Sequence, residues 1–379
     1  MKITQVESQV LRLPLNRPIT APLAPGSLPL AGDGPSFGGI RLDHLFMLAV
    51  HLDTDAGHRG LGFAYTLGGG GRALKALADA DLSPIVLGEN PLDHERIGQK
   101  VYWRLQTIGR RGLVSQAYSA FDLALWDIKG KAAGLPLHKL LGGARDSAPV
   151  YGSDTGWLWM TPDEIVEASR PYIEQGMMGV KIKVGNPRPE IDADRVTRVR
   201  EVLGEEIWLA VDANQRYDYA TALAMGRFFE EDIGVDWFEE PISCEDLAGH
   251  IRLRDKLELP IALGETLFGR DEFVKYLDSN AVDILQPDVT RIGGLTEWLK
   301  LAAVAETYHR PLAPHLLPEV AVHLACGLPG VTLVEWMPWL TRAFVEPPAI
   351  VNGRIVPPPG PGLGLEINPD VATKYQLPS

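Results

Sequence analysis

The chain has 379 residues, which is too long for one ordinary hydrophobic core unless the fold is a barrel. Its composition, 45% hydrophobic and 22% charged, is that of an ordinary soluble globular protein. A formal net charge of -13 argues against sequence-independent binding to nucleic acid or to an anionic membrane. The same charge means that an anionic substrate would need local cations or a metal.

Cysteine content and the N-terminus bear on the compartment. The two cysteines, Cys244 and Cys326, are too few for a disulfide framework and favour a reducing environment. The first residues lack the apolar segment of a signal peptide, and no stretch of about 18 or more apolar residues occurs. We therefore expect a cytoplasmic protein with neither a signal peptide nor a membrane span.

The N-terminal part has the pattern of strands followed by helices. Residues 2–12 alternate in hydropathy, 45–52 form an apolar run, and the period becomes helical over 90–141. Residues 18–39 are rich in Pro, Gly and Ala without a period, which is more typical of a functional lid than of a plain linker. We predict an α+β capping domain over 1–128, with its lid at about 18–39.

After residue 143 the pattern becomes repetitive. Strand-like segments are predicted at 149–153, 179–184, 207–212, 235–239, 260–265, 281–286, 311–315 and 331–335. Helices are predicted between them at 161–175, 190–203, 219–231, 245–257, 270–277 and 295–308. This alternation predicts an α/β fold with a parallel, TIM-like (β/α) barrel over 129–349. Residues 350–379, rich in Pro and Gly, are predicted to pack back on the capping domain.

Ionisable side chains stand at the ends of most predicted strands. In a parallel barrel the carboxyl ends of the strands form the active site. In chain order the side chains are Lys181 and Lys183, Asp212, Glu239, Glu265, Asp288, His315 and Glu335. Such a succession indicates a catalytic site rather than a random surface.

Lys181 and Lys183 lie two residues apart on one strand, so their side chains point the same way. Two neighbouring ammonium groups repel each other, which lowers the pKa of a lysine toward neutrality and makes it a usable general base. The alternative is that both are solvated lysines on a half-exposed strand.

Asp212, Glu239 and Glu265 end three consecutive strands and should converge. Carboxylates this close repel each other unless a cation lies between them, and an all-oxygen set favours Mg²⁺ first and Mn²⁺ second. Alternation lets only one of Glu239 and Glu240 face inward, and Glu239 closes the strand. The alternative is that some of these acids cap the following helices.

Asp288 and His315 form a second pair on neighbouring strands. A carboxylate bonded to one ring nitrogen fixes the tautomer and leaves the other nitrogen to exchange a proton. Glu335, between the apolar Val334 and Trp336, is expected to have a raised pKa and to donate a hydrogen bond to a substrate carboxylate.

These residue types suit proton abstraction from the carbon next to a carboxylate, since a metal and a hydrogen-bond donor stabilise the enolate. Lys183 and His315 on opposite faces of the α-carbon permit either racemisation or loss of a β-hydroxyl. Ser153 and Asn214 are weaker candidates for contact with substrate hydroxyls.

Taken together, the motifs resemble the enolase superfamily, in its mandelate racemase subgroup. Segments that resemble the family are the helix at 120–131 with 140–143, Lys181-Ile182-Lys183, and the ligand motifs 211–214, 238–241 and 264–265. Residues 286–288 with 293–294 and 314–316 resemble the Asp/His pair that separates this subgroup from the muconate lactonising one, which has a lysine on strand six.

The resemblance implies Mg²⁺ at Asp212, Glu239 and Glu265, a lid that closes over the substrate, and a homo-oligomer, from dimer to octamer. The leading hypothesis is a hydro-lyase that converts a small anionic sugar acid, mono- or diacid, to a 2-keto-3-deoxy acid. Lys183 or His315 removes the α-proton, and His315 protonates the leaving hydroxyl. The alternative is a racemase or epimerase of a 2-hydroxy acid, and a further one is a non-catalytic homologue.

Overall fold

The computed structural model describes residues 1–19 and 42–378. The predicted lid at 18–39 therefore lies, from residue 20 onward, outside the described residues. The chain begins with an antiparallel sheet in the order β1-β2-β3. Its strands are β1 (Ile3–Pro14), β2 (His44–Thr54) and β3 (Arg59–Leu67).

Helices cover this sheet. They are α1 (Gly71–Ala76), continued by a π-helical segment (Leu77–Leu82), α2 (Ser83–Val86), α3 (His94–Arg104) and α4 (Leu113–Ala133). Helix α4 packs directly on β3, where Gly60 and Gly62 leave room for its backbone. A Cβ at Gly62 would lie 1.8 Å from the carbonyl oxygen of Ala120, so only glycine permits this approach.

Helix α4 also connects the capping sheet with the rest of the chain. The carboxylate of Asp127 accepts hydrogen bonds from the backbone N–H of Leu61 on β3 at 2.8 Å and of Leu363 near the C-terminus at 2.7 Å. The carboxylate of Asp122 accepts from the backbone N–H of Thr296 at 2.8 Å. The helix continues unbroken through residue 128, so the predicted division at 128 falls inside it.

The remaining helices and strands alternate as predicted. They are α5 (Leu137–Leu140), β4 (Ala148–Gly152), α6 (Pro162–Glu174), β5 (Gly179–Lys183), α7 (Pro189–Leu203), β6 (Trp208–Asp212) and α8 (Tyr219–Phe228), which a π-helical segment (Phe229–Ile233) extends. Next come β7 (Trp237–Glu239), α9 (Leu247–Lys256), β8 (Ile261–Leu263), α10 (Arg270–Asp278), β9 (Ile284–Leu285) and α11 (Leu295–Thr307). The chain ends with α12 (Pro318–Gly327), β10 (Val334–Trp336), a 3-10 turn (Thr341–Ala343), β11 (Ala349–Val351), β12 (Arg354–Val356) and α13 (Pro369–Tyr375).

Parallel pairing follows chain order from β4 to β9, as a (β/α) barrel requires. Single parallel bridges then join Leu285 to Leu312 and Leu312 to Val331, and β10 pairs with β4. The predicted strand 311–315 is thus reduced to one bridged residue. Pro311 and Pro314 flank it and cannot donate to a ladder, which explains the difference.

The C-terminal segment touches both parts of the molecule. Strands β11 and β12 form a hairpin, and β12 pairs antiparallel with β4. Beyond α13, the backbone N–H of Leu377 donates to the carbonyl of Val10 on β1 at 2.8 Å. Within residues 1–19 and 42–378, no helix combines the length and the apolar content needed to cross a membrane.

Candidate active site

Strand β5 places both lysines inside the barrel. Its apolar residues Val180 and Ile182 are fully buried on the opposite face, toward the surrounding helices. Lys181 is 1% exposed and Lys183 9% exposed, so the alternative of a solvated surface strand is wrong. A buried ammonium group requires nearby negative charge, which the neighbouring strands supply.

Both lysines contact carboxylates, which stabilise the charged form of each ammonium group. The Nζ of Lys181 lies 2.6 Å from Glu239 Oε1 and 2.9 Å from Glu335 Oε1. Burial alone would lower the pKa of Lys181, but these carboxylates raise it well above its ordinary value. Burial would also lower the pKa of Lys183. The Asp212 carboxylate that it contacts outweighs this effect, so the pKa of Lys183 is raised as well. The prediction of a lysine pKa lowered toward neutrality is wrong for this arrangement.

The three predicted metal ligands lie together. Asp212 ends β6, Glu239 ends β7 and is its register partner, and Glu265 follows β8. Each offers a carboxylate oxygen, and these oxygens all lie within 4.8 Å of one another. All three side chains are buried.

Helix capping does not account for these acids. Helix α8 is capped by Asp218, which accepts from the backbone N–H of Thr221, and α9 by Asp246, which accepts from Gly249. Helix α10 begins after Gly269, which has no side chain to offer. The capping alternative is therefore wrong.

The cluster has the chemistry of a hard-cation site. Burial, and next the neighbouring Asp212, raise the pKa of Glu239 to about 8, which means that its charge is poorly compensated by the protein. Three buried carboxylates and no sulfur or nitrogen ligand suit a divalent ion such as Mg²⁺. Gln286 supports the set, since its Nε2 donates to Glu239 Oε2 at 2.7 Å.

Glu240 faces away from the cluster, as the alternation predicts. Its backbone has a φ of 38°, and its side chain accepts hydrogen bonds from Gln215 Nε2 and from Thr266 Oγ1, both at 2.9 Å. Glu239 rather than Glu240 therefore belongs to the group of three.

Asp288 and His315 form the predicted pair. The Nδ1 of His315 lies 2.8 Å from Asp288 Oδ2, and its Nε2 lies 3.1 Å from Glu265 Oε2. Burial would lower the pKa of His315, but Glu265 and Asp288 raise it to about 10. Leu316 and Leu317 follow with φ values of 55° and 45°, so the backbone adopts an uncommon left-handed conformation directly after this histidine.

Glu335 differs from the expectation in its charge. Its Oε1 lies 2.9 Å from Lys181 Nζ, and its Oε2 accepts from the backbone N–H of Leu316 at 2.7 Å. Although burial would raise its pKa, Lys181 and then His315 lower it to about 2. The predicted raised pKa is wrong because apolar Val334 and Trp336 lie on the other side of the strand, while the inner side faces a cation.

The two candidate bases occupy opposite ends of the carboxylate cluster. Lys183 contacts Asp212, which is the first carboxylate in strand order, and His315 contacts Glu265, which is the last. A substrate carbon above the cluster would therefore have an amine on one side and an imidazole on the other.

Family comparisons agree with this geometry. Residues 164–371 match the family described as enolase C-terminal domain-like, and residues 42–142 match the mandelate racemase / muconate lactonizing enzyme N-terminal domain. The chain belongs to the enolase superfamily, in its mandelate racemase subgroup. The first match spans the barrel from α6 onward, and the second spans the capping sheet from β2 onward together with its helices.

Relatives within the superfamily include sugar-acid enzymes. The L-talarate/galactarate dehydratase of Salmonella typhimurium strain LT2 is 38% identical over 336 residues, covering 89% of this chain and 84% of the relative. The 3,6-anhydro-alpha-L-galactonate cycloisomerase of Streptomyces coelicolor is 34% identical, covering 85% and 89%. A crystal structure of L-talarate dehydratase from Polaromonas sp. JS666, complexed with Mg and L-glucarate, superposes with a TM-score of 0.91 at 38% identity, covering 100% of this chain and 98% of that one.

The remaining predicted residues also lie at this end of the enolase-type barrel. Ser153 directly follows β4 and is 2% exposed, and Asn214 follows β6 with a φ of 41°. The backbone N–H of Asn214 donates to Asp212 Oδ1 at 2.7 Å, so this residue also orients a candidate ligand.

Three side chains at the site have no role assigned to them in the sequence analysis. Gln286 contacts Glu239, the Trp157 ring centroid lies 5.8 Å from Lys183 Nζ, and the Tyr65 hydroxyl contacts Asp288. Gln286 could have been found, because it ends a predicted strand two residues before Asp288. Tyr65 carries no such signal, since nothing local to β3 indicates contact with the barrel.

Proposed function

We propose that this protein removes the α-proton of a sugar acid, mono- or diacid, and eliminates the β-hydroxyl to give a 2-keto-3-deoxy acid. The observation that carries the proposal is the placement of Lys183 and His315 at the two ends of the buried carboxylate cluster. The sugar-acid dehydratases among its relatives support the choice of substrate class.

We propose Asp212, Glu239 and Glu265 as ligands of Mg²⁺, with Mn²⁺ as a substitute. The bound ion would neutralise the charge that develops on the substrate carboxylate as the α-proton leaves. Lys181 lies beside this set, where its ammonium group orients Glu239 and Glu335 and adds positive charge for an anionic substrate. Glu335 holds the turn after His315 through the backbone of Leu316.

Lys183 and His315 then transfer the protons. Lys183 or His315, in its neutral form, takes the α-proton as the C–H bond breaks, and the electron pair moves into the carboxylate. The Asp212 and Glu265 carboxylates raise the pKa of these two groups, and a bound ion would offset that charge and favour the neutral forms. When the β C–O bond breaks, His315 Nε2 delivers a proton, so that the hydroxyl leaves as water. Asp288 keeps Nδ1 engaged at 2.8 Å, so Nε2, which lies 3.1 Å from Glu265 Oε2 at the edge of the carboxylate cluster, is the nitrogen available for proton transfer. The enol product tautomerises to the 2-keto acid. Ser153 and Asn214 are placed to contact substrate hydroxyls.

A racemase or epimerase of a 2-hydroxy acid is the second candidate, and the same geometry favours it. With a base on each face, a proton removed by one side chain can be replaced by the other, with no hydroxyl lost. The two reactions differ in product: dehydration yields a 2-keto acid, whereas epimerisation yields the other stereoisomer.

The test is a library of mono- and diacid sugars incubated with the protein and Mg²⁺ in deuterated water. We expect at least one acid to form a 2-keto-3-deoxy product, and we expect deuterium at carbon 3 of that product, where the enol takes up a solvent proton as it becomes the ketone. Stereoisomer formation without a keto product would assign the racemase instead. Absence of both deuterium and a 2-keto product from every acid, with Mg²⁺ shown to be bound, would contradict both and indicate a non-catalytic homologue.

A further inference from the structure

Tyr65 reaches from the capping domain into the catalytic pair. It lies near the end of β3, where it pairs with Met47, and it is 1% exposed. Its hydroxyl donates a hydrogen bond to Asp288 Oδ2 at 2.7 Å. This is the same oxygen atom that His315 Nδ1 contacts at 2.8 Å.

The two oxygens of Asp288 are held differently. Oδ1 accepts bonds from its own turn: the backbone N–H and the hydroxyl of Thr290, both at 2.7 Å, and the backbone N–H of Arg291 at 3.2 Å. Oδ2, by contrast, contacts the Tyr65 hydroxyl and His315 Nδ1. The orientation of the oxygen that holds the imidazole therefore depends on a side chain from the other domain.

The Tyr65 hydroxyl is a permanent donor. Burial, and next the neighbouring Asp288 carboxylate, raise the pKa of Tyr65 well above its ordinary value, so the phenol stays protonated at working pH. A carboxylate that accepts two charge-assisted or buried bonds on one oxygen is restricted in rotation, and the imidazole bonded to it is restricted in turn.

We propose that Tyr65 is a positioning residue for the Asp288–His315 pair, through which the docked capping domain orients the imidazole toward the substrate. The inference rests on the proposed α-proton chemistry and assigns part of it to the capping domain. It also predicts an asymmetry, because Lys183 lies at the other end of the cluster against Asp212. Loss of the Tyr65 hydroxyl should affect the His315 side and spare the Lys183 side.

The test compares α-proton exchange of two acids that are epimeric at carbon 2, in deuterated water with Mg²⁺. One epimer presents its α-proton to His315 and the other to Lys183. In Tyr65→Phe, we expect exchange on the His315 side to fall by about 10–100-fold, as is usual when an outer partner of a functional group is removed. Exchange of the other epimer should stay close to the wild-type rate.

Tyr217→Phe is the matched control. The Tyr217 hydroxyl donates to Asp192 Oδ2 at 2.7 Å, so the variant loses the same kind of bond, of the same length, away from the Asp288–His315 pair. We expect the epimer on the His315 side to exchange at the wild-type rate in this variant, because Asp192 otherwise holds the backbone of Gly185 and Asn186, on the Lys183 side. Thermal unfolding of both variants shows whether either has lost its fold.

A second measurement separates positioning from general packing. If Tyr65 acts through Asp288, Tyr65→Phe should add little to the loss already caused by Asp288→Asn, whereas independent effects would multiply. Equal loss for both epimers, full multiplication in the double variant, or wild-type exchange in Tyr65→Phe would each overturn the inference. Absence of both α-proton exchange and a 2-keto product in the wild-type protein would instead refute the proposed function, and the inference with it.

Discussion

Removal of the Asp127 carboxylate should weaken the connection between the capping sheet, α4 and the C-terminal segment. The side chain is fully buried and accepts from the backbone N–H of Leu61, from the backbone N–H of Leu363 and from Lys131 Nζ, the last at 2.7 Å. Asp127→Ala leaves two buried backbone donors without an acceptor. At about 1–3 kcal/mol for each unsatisfied donor, the loss should be about 2–6 kcal/mol in the free energy of unfolding.

Urea unfolding followed by circular dichroism measures this loss. Asp146→Ala is the matched control, because Asp146 also pairs with a lysine, Lys139, at 2.7 Å, but its side chain is 91% exposed. An exposed ion pair contributes about 0–1 kcal/mol, so the control should unfold at nearly the wild-type urea concentration. A loss in Asp127→Ala as small as that of the control would refute the assignment of α4 as the connecting helix.

Three further predictions concern the two bases, the metal ligands and the pH dependence of stability. His315→Asn and Lys183→Ala should each lower turnover by about 10²-fold or more while Mg²⁺ still binds by calorimetry, as loss of a general acid or base would. Gln286→Ala should weaken Mg²⁺ binding by about 10–100-fold, because Glu239 loses an orienting donor. Burial raises the pKa of Glu319 from 4.5 to about 7, so the folded protein binds more protons than the unfolded one between these values, and stability should fall as pH rises across that window. Glu319→Gln should abolish this part of the dependence in urea unfolding at pH 5 and pH 8.

Each of these predictions has a contrary outcome. Near wild-type turnover in both His315→Asn and Lys183→Ala would exclude them as the two bases. Unchanged Mg²⁺ affinity in Gln286→Ala would mean that Glu239 is positioned by other groups. A Glu319→Gln variant with the same pH dependence as the wild-type protein would show that Glu319 does not titrate in this range.

The strand-end residues could be predicted from sequence because they depend on local pattern and on one geometric rule. Alternation places Lys181 and Lys183 on one face, and parallel strands bring Asp212, Glu239 and Glu265 to one end. In the structure both lysines are buried, and the three acids offer oxygens within 4.8 Å of one another.

Charge states and cross-domain contacts could not be predicted in the same way. The pKa of Glu335 depends on Lys181, which lies far from it in sequence but 2.9 Å away in space. The contact of Tyr65 with Asp288 depends on how the capping sheet docks, which no local pattern encodes. The shortening of the strand at 311–315 follows from its prolines and could have been anticipated. The cytoplasmic location and the homo-oligomer stay predictions.

Deuterium incorporation from solvent tests the central claim most directly. With Mg²⁺ present, we predict that at least one sugar acid acquires deuterium, at carbon 2 of the recovered acid or at carbon 3 of its 2-keto product, and that chelation of the metal stops this incorporation. A panel of mono- and diacid sugars in which neither the recovered acids nor any 2-keto product contains deuterium, although calorimetry shows Mg²⁺ bound to the protein, would contradict it.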